Sequence, residues 1–141
     1  MSTLYSTRAT AVGGRHGTVK TEDGLLDLSL AVPKEMGGKG GATNPEQLFA
    51  AGYAACFENA VIHVSREMET KVRDRDIEVT ATVSMSSNQS GGFGLEVAMD
   101  VVIADIDQST AEEIVAAAHK TCPYSNAVKG NVDVQIEVST R

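Results

Sequence analysis

The feature that most restricts the fold is a helix-forming segment that is apolar on nearly every side. Residues 48–57, LFAAGYAACF, contain no charged side chain. Asn44 is a suitable N-cap, Pro45 suits the first helical position, and Gln47 has the capping-box spacing. The sequence becomes more polar after residue 57 and predicts an end near Met68. A helix with apolar residues all round is buried, so we expect it at the centre of the fold or at a subunit interface.

Alternating apolar side chains predict strands on both sides of this helix. Every second residue is apolar in residues 77–85 and 93–103, and the pattern returns in residues 132–138. Nearer the N-terminus, residues 4–12 predict a first strand. A hairpin is expected around residues 22–24, with strands over 18–21 and 25–30.

A second helix is predicted between the strand over residues 93–103 and the last strand. Ser109 and Glu112 have the spacing of a capping box, and Pro123 limits where this helix can end. One further helical turn is expected over residues 125–129. The order strands, helix, strands, helix, strand predicts an α+β fold with mainly antiparallel sheet, in one domain covering residues 1–141.

The balance of charge excludes several classes of partner. Twelve basic and nineteen acidic residues give a net charge of -7, whereas nucleic acids and anionic membranes are bound by basic surfaces. No apolar run approaches the roughly 20 residues of a membrane span. The N-terminus shows no basic region followed by an apolar stretch, as a signal peptide would. We therefore expect a cytoplasmic protein that binds neither nucleic acid nor membrane.

The two cysteines, Cys56 in the apolar helix and Cys122 after the second helix, allow three interpretations. They can be small core hydrophobes. With His63 and His119 they can form a tetrahedral zinc site, although the absence of a CxxC pair makes a metal the least favoured interpretation. They can also be redox partners, in which one thiolate attacks an oxidant and the other thiol resolves the sulfenic acid as a disulfide.

Redox catalysis needs a cation near the attacking thiol, because an unperturbed thiol is only a few per cent ionised at neutral pH. Arg15, in a glycine-rich turn, is the candidate, and a solvated turn arginine is the alternative. Glu46, in the first turn of the apolar helix, either complements the helix dipole or orients an arginine through a bidentate bond.

An aromatic stripe follows the same helix, since Phe49, Tyr53 and Phe57 are spaced four residues apart. The stripe is either ordinary core or the lining of an apolar pocket beside Cys56. No further signal surrounds His16, His63 and His119, which we expect to be structural or surface residues.

Two segments resemble motifs of a known family. TNPEQLFAAGYAACF, residues 43–57, is similar to the first cysteine motif of the Ohr/OsmC family, and CPYSNA, residues 122–127, is similar to the second motif in its organic hydroperoxide resistance branch. The two motifs together are highly specific, and the resemblance extends from the turn at Arg15 to the last strand. One departure, VKGN at residues 128–131 where the family often has TRGN, falls on no position that would carry chemistry.

The resemblance implies a thiol-dependent peroxidase that reduces organic hydroperoxides, including those of fatty acids, to alcohols. It makes Cys56 the peroxidatic thiolate and Cys122 the resolving thiol, which forms an intramolecular disulfide with Cys56. By the same resemblance Arg15 stabilises the thiolate and binds the peroxide, and Glu46 holds Arg15 in place.

The resemblance also implies an assembly and a reductant. We expect no bound cofactor, a dithiol reductant such as lipoyl groups on another protein, and an intertwined homodimer. In that dimer, mainly antiparallel sheets wrap around long central helices. Two alternatives stay open: a peroxidase of the sister OsmC branch, and a non-enzymatic thiol sensor or binding module.

Overall fold

A computed structural model describes residues 2–141, which pack as two compact units. The first unit ends at Leu48 and contains a three-stranded antiparallel sheet. Its strands, in order across the sheet, are β1 (Ala9–Val12), β2 (Thr18–Thr21) and β3 (Asp27–Ser29), with short 3-10 turns over Gly14–His16 and Lys34–Met36.

The first strand is shorter than the sequence predicts. It begins at Ala9 rather than at residue 4, and its four residues pair with the four residues of β2. The predicted hairpin is confirmed: β2 and β3 are antiparallel, and the N–H of Thr21 donates to the carbonyl of Leu26 at 2.8 Å.

The helix α1 (Pro45–Glu67) ends one residue before the predicted end. Its N-cap is confirmed, since the side-chain oxygen of Asn44 accepts from the N–H of Gln47 at 2.9 Å. The side chain of Gln47 does not return to Asn44 but lies 2.7 Å from the hydroxyl of Thr43. Only one half of the expected capping box therefore forms.

The second unit begins at Phe49 and has a three-stranded mixed sheet. β4 (Ile77–Ser87) and β5 (Phe93–Ile103) are antiparallel along their whole length, which fits the mainly antiparallel sheet predicted, and β6 (Val134–Thr140) runs parallel to β5. A parallel neighbour requires a long crossover, which two helices supply. The elements are a 3-10 turn over Asp74–Asp76, β4 (Ile77–Ser87), β5 (Phe93–Ile103), α2 (Gln108–Thr121), α3 (Pro123–Val128) and β6 (Val134–Thr140).

The predicted start of α2 is wrong in its capping residue. Asp107 is the N-cap, and its carboxylate accepts from the N–H of Thr110 at 3.3 Å and from the Thr110 hydroxyl at 2.7 Å. Because Asp107 satisfies that N–H, the helix begins before Ser109, and the Ser109–Glu112 box does not define its start.

The core of the second unit lies where α1 and α2 meet the inner face of β5. The alternation of β5 is confirmed, with Val97, Met99, Val101 and Ile103 at most 2% exposed. The composition of α1 led us to expect burial on all sides, and the single protomer does not show it. One face is buried, but Ala51 and Ala55 are exposed in the single protomer. The buried residues of α1 are Tyr53, Phe57, Ala60, Val61, Val64 and Ser65.

The α+β class is confirmed by these elements. Within residues 2–141, no helix has both the length and the apolar character that a bilayer span requires.

Candidate active site

The two cysteines, 66 residues apart in the chain, are neighbours in the second unit. The Sγ atom of Cys122 lies 3.8 Å from that of Cys56, and both thiols are free. Cys122 is fully buried, whereas Cys56 is partly exposed. A disulfide bond is about 2.05 Å long, so the two sulfur atoms have only a short distance to move when an oxidant converts the pair to a disulfide. This pair is called the thiol pair below.

Cys122 is held by its position between two helices. It is the C-cap of α2 and the N-cap of α3, with extended backbone angles, and Pro123 occupies the first position of α3. The short helix therefore begins at Pro123 rather than at residue 125. The backbone of Cys122 is fixed on both sides, because its N–H donates to Ala118 at 2.8 Å and its carbonyl accepts from the N–H of Asn126 at 3.0 Å.

Aromatic residues close to the two cysteines in the chain form a cluster of rings. Tyr53 lies 6.2 Å from Phe49 and 6.4 Å from Phe57 between ring centroids. Tyr124 joins this stripe, 5.6 Å from Tyr53 and 6.3 Å from Phe49. Sequence reasoning missed Tyr124, although it lies within the second cysteine motif. Tyr53 and Phe57 are fully buried, and a pocket-lining role for the stripe stays a prediction.

The surroundings of Cys56 within the second unit favour the neutral thiol. Burial is the largest influence and raises the pKa of Cys56. The backbone N–H of Tyr124 donates to the sulfur and lowers the pKa, while the adjacent Cys122 raises it again. A thiolate at Cys56 therefore needs a further source of positive charge.

Arg15 and Glu46 form a bidentate ion pair in the first unit. The two guanidinium nitrogens donate to the two carboxylate oxygens at 2.7 Å and 3.1 Å. Arg15 lies in the turn after Gly13, whose φ of 87° is in the left-handed region that favours glycine. The hydrogen bond from Arg15 lowers the pKa of Glu46 and raises that of Arg15. Their roles toward Cys56 stay predictions.

The histidines have separate surroundings. His63 lies 3.4 Å from its helical neighbour Glu67, whereas Nδ1 of His119 lies 2.9 Å from the hydroxyl of Ser125, and His16 is exposed in its turn. Among residues 2–141, no group of three or more His, Cys, Asp or Glu side chains is placed to hold a metal ion. The four-residue zinc arrangement considered from the sequence is not assembled in that part of the chain.

Comparison with known proteins identifies the family. The family model described as OsmC-like protein matches residues 38–137 of the chain. The chain belongs to the Ohr/OsmC family. Its relatives include the organic hydroperoxide resistance protein OhrB of Bacillus subtilis, 46% identical over 138 residues that cover 96% of this chain and 98% of that protein. The organic hydroperoxide resistance protein of Xanthomonas axonopodis pv. citri is 44% identical, with coverage of 96% and 95%.

Solved structures of the Ohr/OsmC family confirm the fold. An organic hydroperoxide resistance protein from Legionella pneumophila superposes with a TM-score of 0.94 at 54% identity, covering 98% of this chain and 99% of that one. The OhrB structure from Bacillus subtilis gives a TM-score of 0.87 at 44% identity, with coverage of 96% and 99%. The resemblance to the organic hydroperoxide resistance branch is confirmed by these relatives.

Proposed function

We propose that this protein is a thiol-dependent peroxidase that reduces organic hydroperoxides to alcohols. The observation that carries the proposal is the thiol pair: two free sulfur atoms 3.8 Å apart, one on α1 and one at the junction of α2 and α3. The names of the near full-length relatives, organic hydroperoxide resistance proteins, support the same substrate class.

The proposed reaction uses the two cysteines in sequence. The Cys56 thiolate attacks one peroxide oxygen, the S–O bond forms, the O–O bond breaks, and the alkoxide leaves as an alcohol after taking a proton. Cys122 then attacks the sulfur of the Cys56 sulfenic acid. The S–S bond forms, the S–O bond breaks, and hydroxide leaves as water with the proton of Cys122.

The cycle closes by exchange with an external dithiol. A dithiol such as a dihydrolipoyl group on another protein attacks the disulfide, and both cysteines return to thiols while the reductant becomes a cyclic disulfide. Because a disulfide that cycles needs a reducing compartment, we propose a cytoplasmic location. No bound cofactor enters this scheme.

We assign the activation of Cys56 to Arg15. A guanidinium about 4 Å from a thiolate contributes about 4 kcal/mol at an effective dielectric constant near 20. Each pKa unit corresponds to about 1.4 kcal/mol, so one arginine outweighs a moderate desolvation of the thiol. Glu46 orients the guanidinium because two parallel hydrogen bonds fix its direction, whereas one hydrogen bond would leave it free to rotate.

The apolar surroundings of the thiol pair give the proposed preference for alkyl hydroperoxides. Phe49 and Tyr124 are partly exposed rings of the aromatic stripe and offer an apolar surface to an alkyl chain. Hydrogen peroxide has no apolar part and gains nothing from such contacts.

We further propose that two copies form a homodimer, because the first unit leaves large apolar side chains uncovered. Within residues 2–48, Leu30 is the one buried hydrophobic residue. A unit that buries so little apolar surface needs a partner, and a second copy would also cover Ala51 and Ala55 of α1. The large hydrophobic residues that the first unit exposes are Leu4, Tyr5, Val12, Leu25, Leu26 and Met36.

The proposal is tested by turnover. Reduced protein is mixed with tert-butyl hydroperoxide or, in parallel, with hydrogen peroxide, and the oxidation of dihydrolipoamide is followed. We expect rapid turnover with the organic peroxide and slow turnover with hydrogen peroxide. Faster turnover with hydrogen peroxide than with the organic peroxide would favour a peroxidase of the OsmC branch. A single oxidation without cycling would indicate a thiol sensor, and the absence of any oxidation would overturn the proposal.

A further inference from the structure

A chain of hydrogen bonds beside the thiol pair takes no part in the mechanism above. The hydroxyl oxygens of Tyr53 and Ser125 lie 2.7 Å apart, and the Ser125 hydroxyl lies 2.9 Å from Nδ1 of His119. Tyr53 is fully buried and Ser125 is 2% exposed. We call these three residues the Ser125 network.

Each member of the network lies three residues from one of the two cysteines. Tyr53 precedes Cys56 by three residues in α1, His119 precedes Cys122 by three residues in α2, and Ser125 follows Cys122 by three residues in α3. Tyr53 and Cys56, three residues apart in α1, are neighbours on one helix face. The Ser125 hydroxyl therefore connects the turn of α1 that carries Cys56 to α2 and α3, whose junction carries Cys122.

The network satisfies every hydroxyl proton in one direction of hydrogen bonding. If Nδ1 of His119 accepts, the Ser125 hydroxyl donates to it and the Tyr53 hydroxyl donates to Ser125. If Nδ1 donates, each bond reverses and the proton of the Tyr53 hydroxyl has no acceptor within the network. Burial raises the pKa of Tyr53, which keeps its hydroxyl protonated. Within residues 2–141, every buried side-chain nitrogen or oxygen has a hydrogen-bond partner.

The geometry points to a positioning role: we propose that the Ser125 network, Tyr53, Ser125 and His119, holds Cys122 in reach of Cys56 and so directs the sulfenic acid to the disulfide. Cys122 itself is in neither helix, so the direction of its side chain depends on how α3 is anchored to α1 and α2. The Tyr53–Ser125 bond joins α1 to α3, and the Ser125–His119 bond joins α3 to α2.

The inference rests on the proposed peroxidase function, because it concerns the fate of the sulfenic acid. That species has two competing fates. Attack by Cys122 forms the disulfide and releases water. Attack on a second hydroperoxide molecule forms a sulfinic acid and releases another alcohol, and Cys56 is then lost to the cycle. Small displacements of Cys122 slow the first fate and leave the second unchanged.

The first experiment measures this partition in Ser125→Ala. Reduced protein receives excess tert-butyl hydroperoxide, and intact mass gives the ratio of sulfinic acid to disulfide. Both products arise from one sulfenic acid, so the ratio is independent of the first step. We expect it to rise about fivefold, the effect of one hydrogen bond of ordinary net strength. An unchanged ratio would overturn the inference.

Two further variants separate positioning from general stability. Ser65→Ala is the matched control: Ser65 is also 2% exposed, its hydroxyl donates to the carbonyl of Val61 at 2.7 Å, and it lies in α1 away from the thiol pair. It should lower the melting temperature without changing the product ratio. Tyr53→Phe keeps the ring and removes the hydroxyl, so it should raise the ratio. Combined with Ser125→Ala it should add little, because both variants remove the same bond.

A second measurement does not depend on peroxide. The equilibrium of the thiol pair with dithiothreitol and its cyclic disulfide gives the effective concentration of the two thiols. Ser125→Ala should lower it about fivefold, for the same single hydrogen bond, and Ser65→Ala should not. If wild-type protein consumes no peroxide but Ser125→Ala shows this decrease in effective concentration, the peroxidase proposal fails while the positioning of Cys122 stands. If neither measurement changes, the network is structural only.

Discussion

The Sγ atom of Cys122 lies 3.8 Å from the Sγ atom of Cys56, although 66 residues separate them in the chain. The contact depends on α1 and on the junction between α2 and α3, not on a local sequence motif. Both sulfur atoms lie in a core that raises the pKa of Cys56 through burial. The two sulfur atoms are therefore close enough to form a disulfide on oxidation, while burial favours the neutral form of the Cys56 thiol.

Replacing Cys56 with Ser should abolish peroxide consumption. A serine hydroxyl cannot form the sulfenic acid, and Cys122 is fully buried and cannot take over the attack. The measurement is the loss of tert-butyl hydroperoxide in the presence of dihydrolipoamide. Retained activity in Cys56→Ser would refute the assignment of Cys56.

Replacing Cys122 with Ser should leave the first step and remove the cycle. One equivalent of peroxide should be reduced, after which Cys56 stays as sulfenic acid or is oxidised further. The intact mass of the protein separates these species when it is measured after roughly one and after roughly ten equivalents of peroxide. Normal cycling with dithiols would show that Cys122 is not the resolving residue.

Arg15→Ala should raise the pKa of Cys56. The thiolate is the reactive form, so the rate of peroxide reduction increases as pH rises through this pKa. Without the guanidinium, the rise should move to higher pH, measured in single-turnover reactions between about pH 5 and pH 10. Arg8→Ala is the control, because Arg8 lies in the same unit in an exposed pair with Glu22 at 3.8 Å. An unchanged thiol titration would show that Arg15 does not act on Cys56.

Glu46→Gln should remove a pH-dependent part of the stability. The pKa of Glu46 is lowered in the folded state by Arg15, so the ion pair stabilises the fold above the unfolded-state pKa and is lost as pH falls through the folded-state pKa. The pair is partly exposed, which suggests about 1 kcal/mol. Urea unfolding near pH 7 should separate wild type from the variant, and the difference should shrink in a second measurement at a pH below the usual range of a glutamate pKa. Equal differences at both pH values would contradict this assignment, and Glu22→Gln serves as an exposed control.

Gly52→Ala should destabilise the protein although alanine favours helices. A Cβ atom at Gly52 would lie 2.7 Å from the Tyr124 hydroxyl oxygen and 3.3 Å from two ring atoms. The resulting overpacking should reduce the free energy of unfolding by about 1–3 kcal/mol, against a gain of up to about 1 kcal/mol in helix propensity. Gly94→Ala is the control, since its Cβ would meet no atom within 4 Å. A stabilised Gly52→Ala would show that Tyr124 moves aside freely.

The sequence alone determined the elements that depend on neighbouring residues. Asn44 and Pro45 marked the start of α1, and the alternation from residue 93 to residue 103 matched β5. Such signals are local, because a cap bonds within one turn and a strand face repeats every second residue. The two cysteine motifs likewise predicted the family that the comparisons confirm.

Errors arose where two local signals competed or where an element pairs with another segment. Asp107 and Ser109 are both good capping residues, and the carboxylate that reaches the N–H of Thr110 defines the helix start. β1 has four residues, which pair with the four residues of β2. Neither outcome follows from propensity, because each depends on a second set of atoms.

Tertiary structure alone decided the surroundings of the thiol pair. Tyr53 and Ser125 are 72 residues apart, and their 2.7 Å hydrogen bond exists only when α1 packs against α3. Tyr124 joined the aromatic stripe for the same reason, at a ring distance of 5.6 Å from Tyr53. Residue type and spacing indicate which groups can react, whereas the packing of distant helices determines which groups meet, because hydrogen bonds and ring contacts act over a few ångströms of space rather than along the chain.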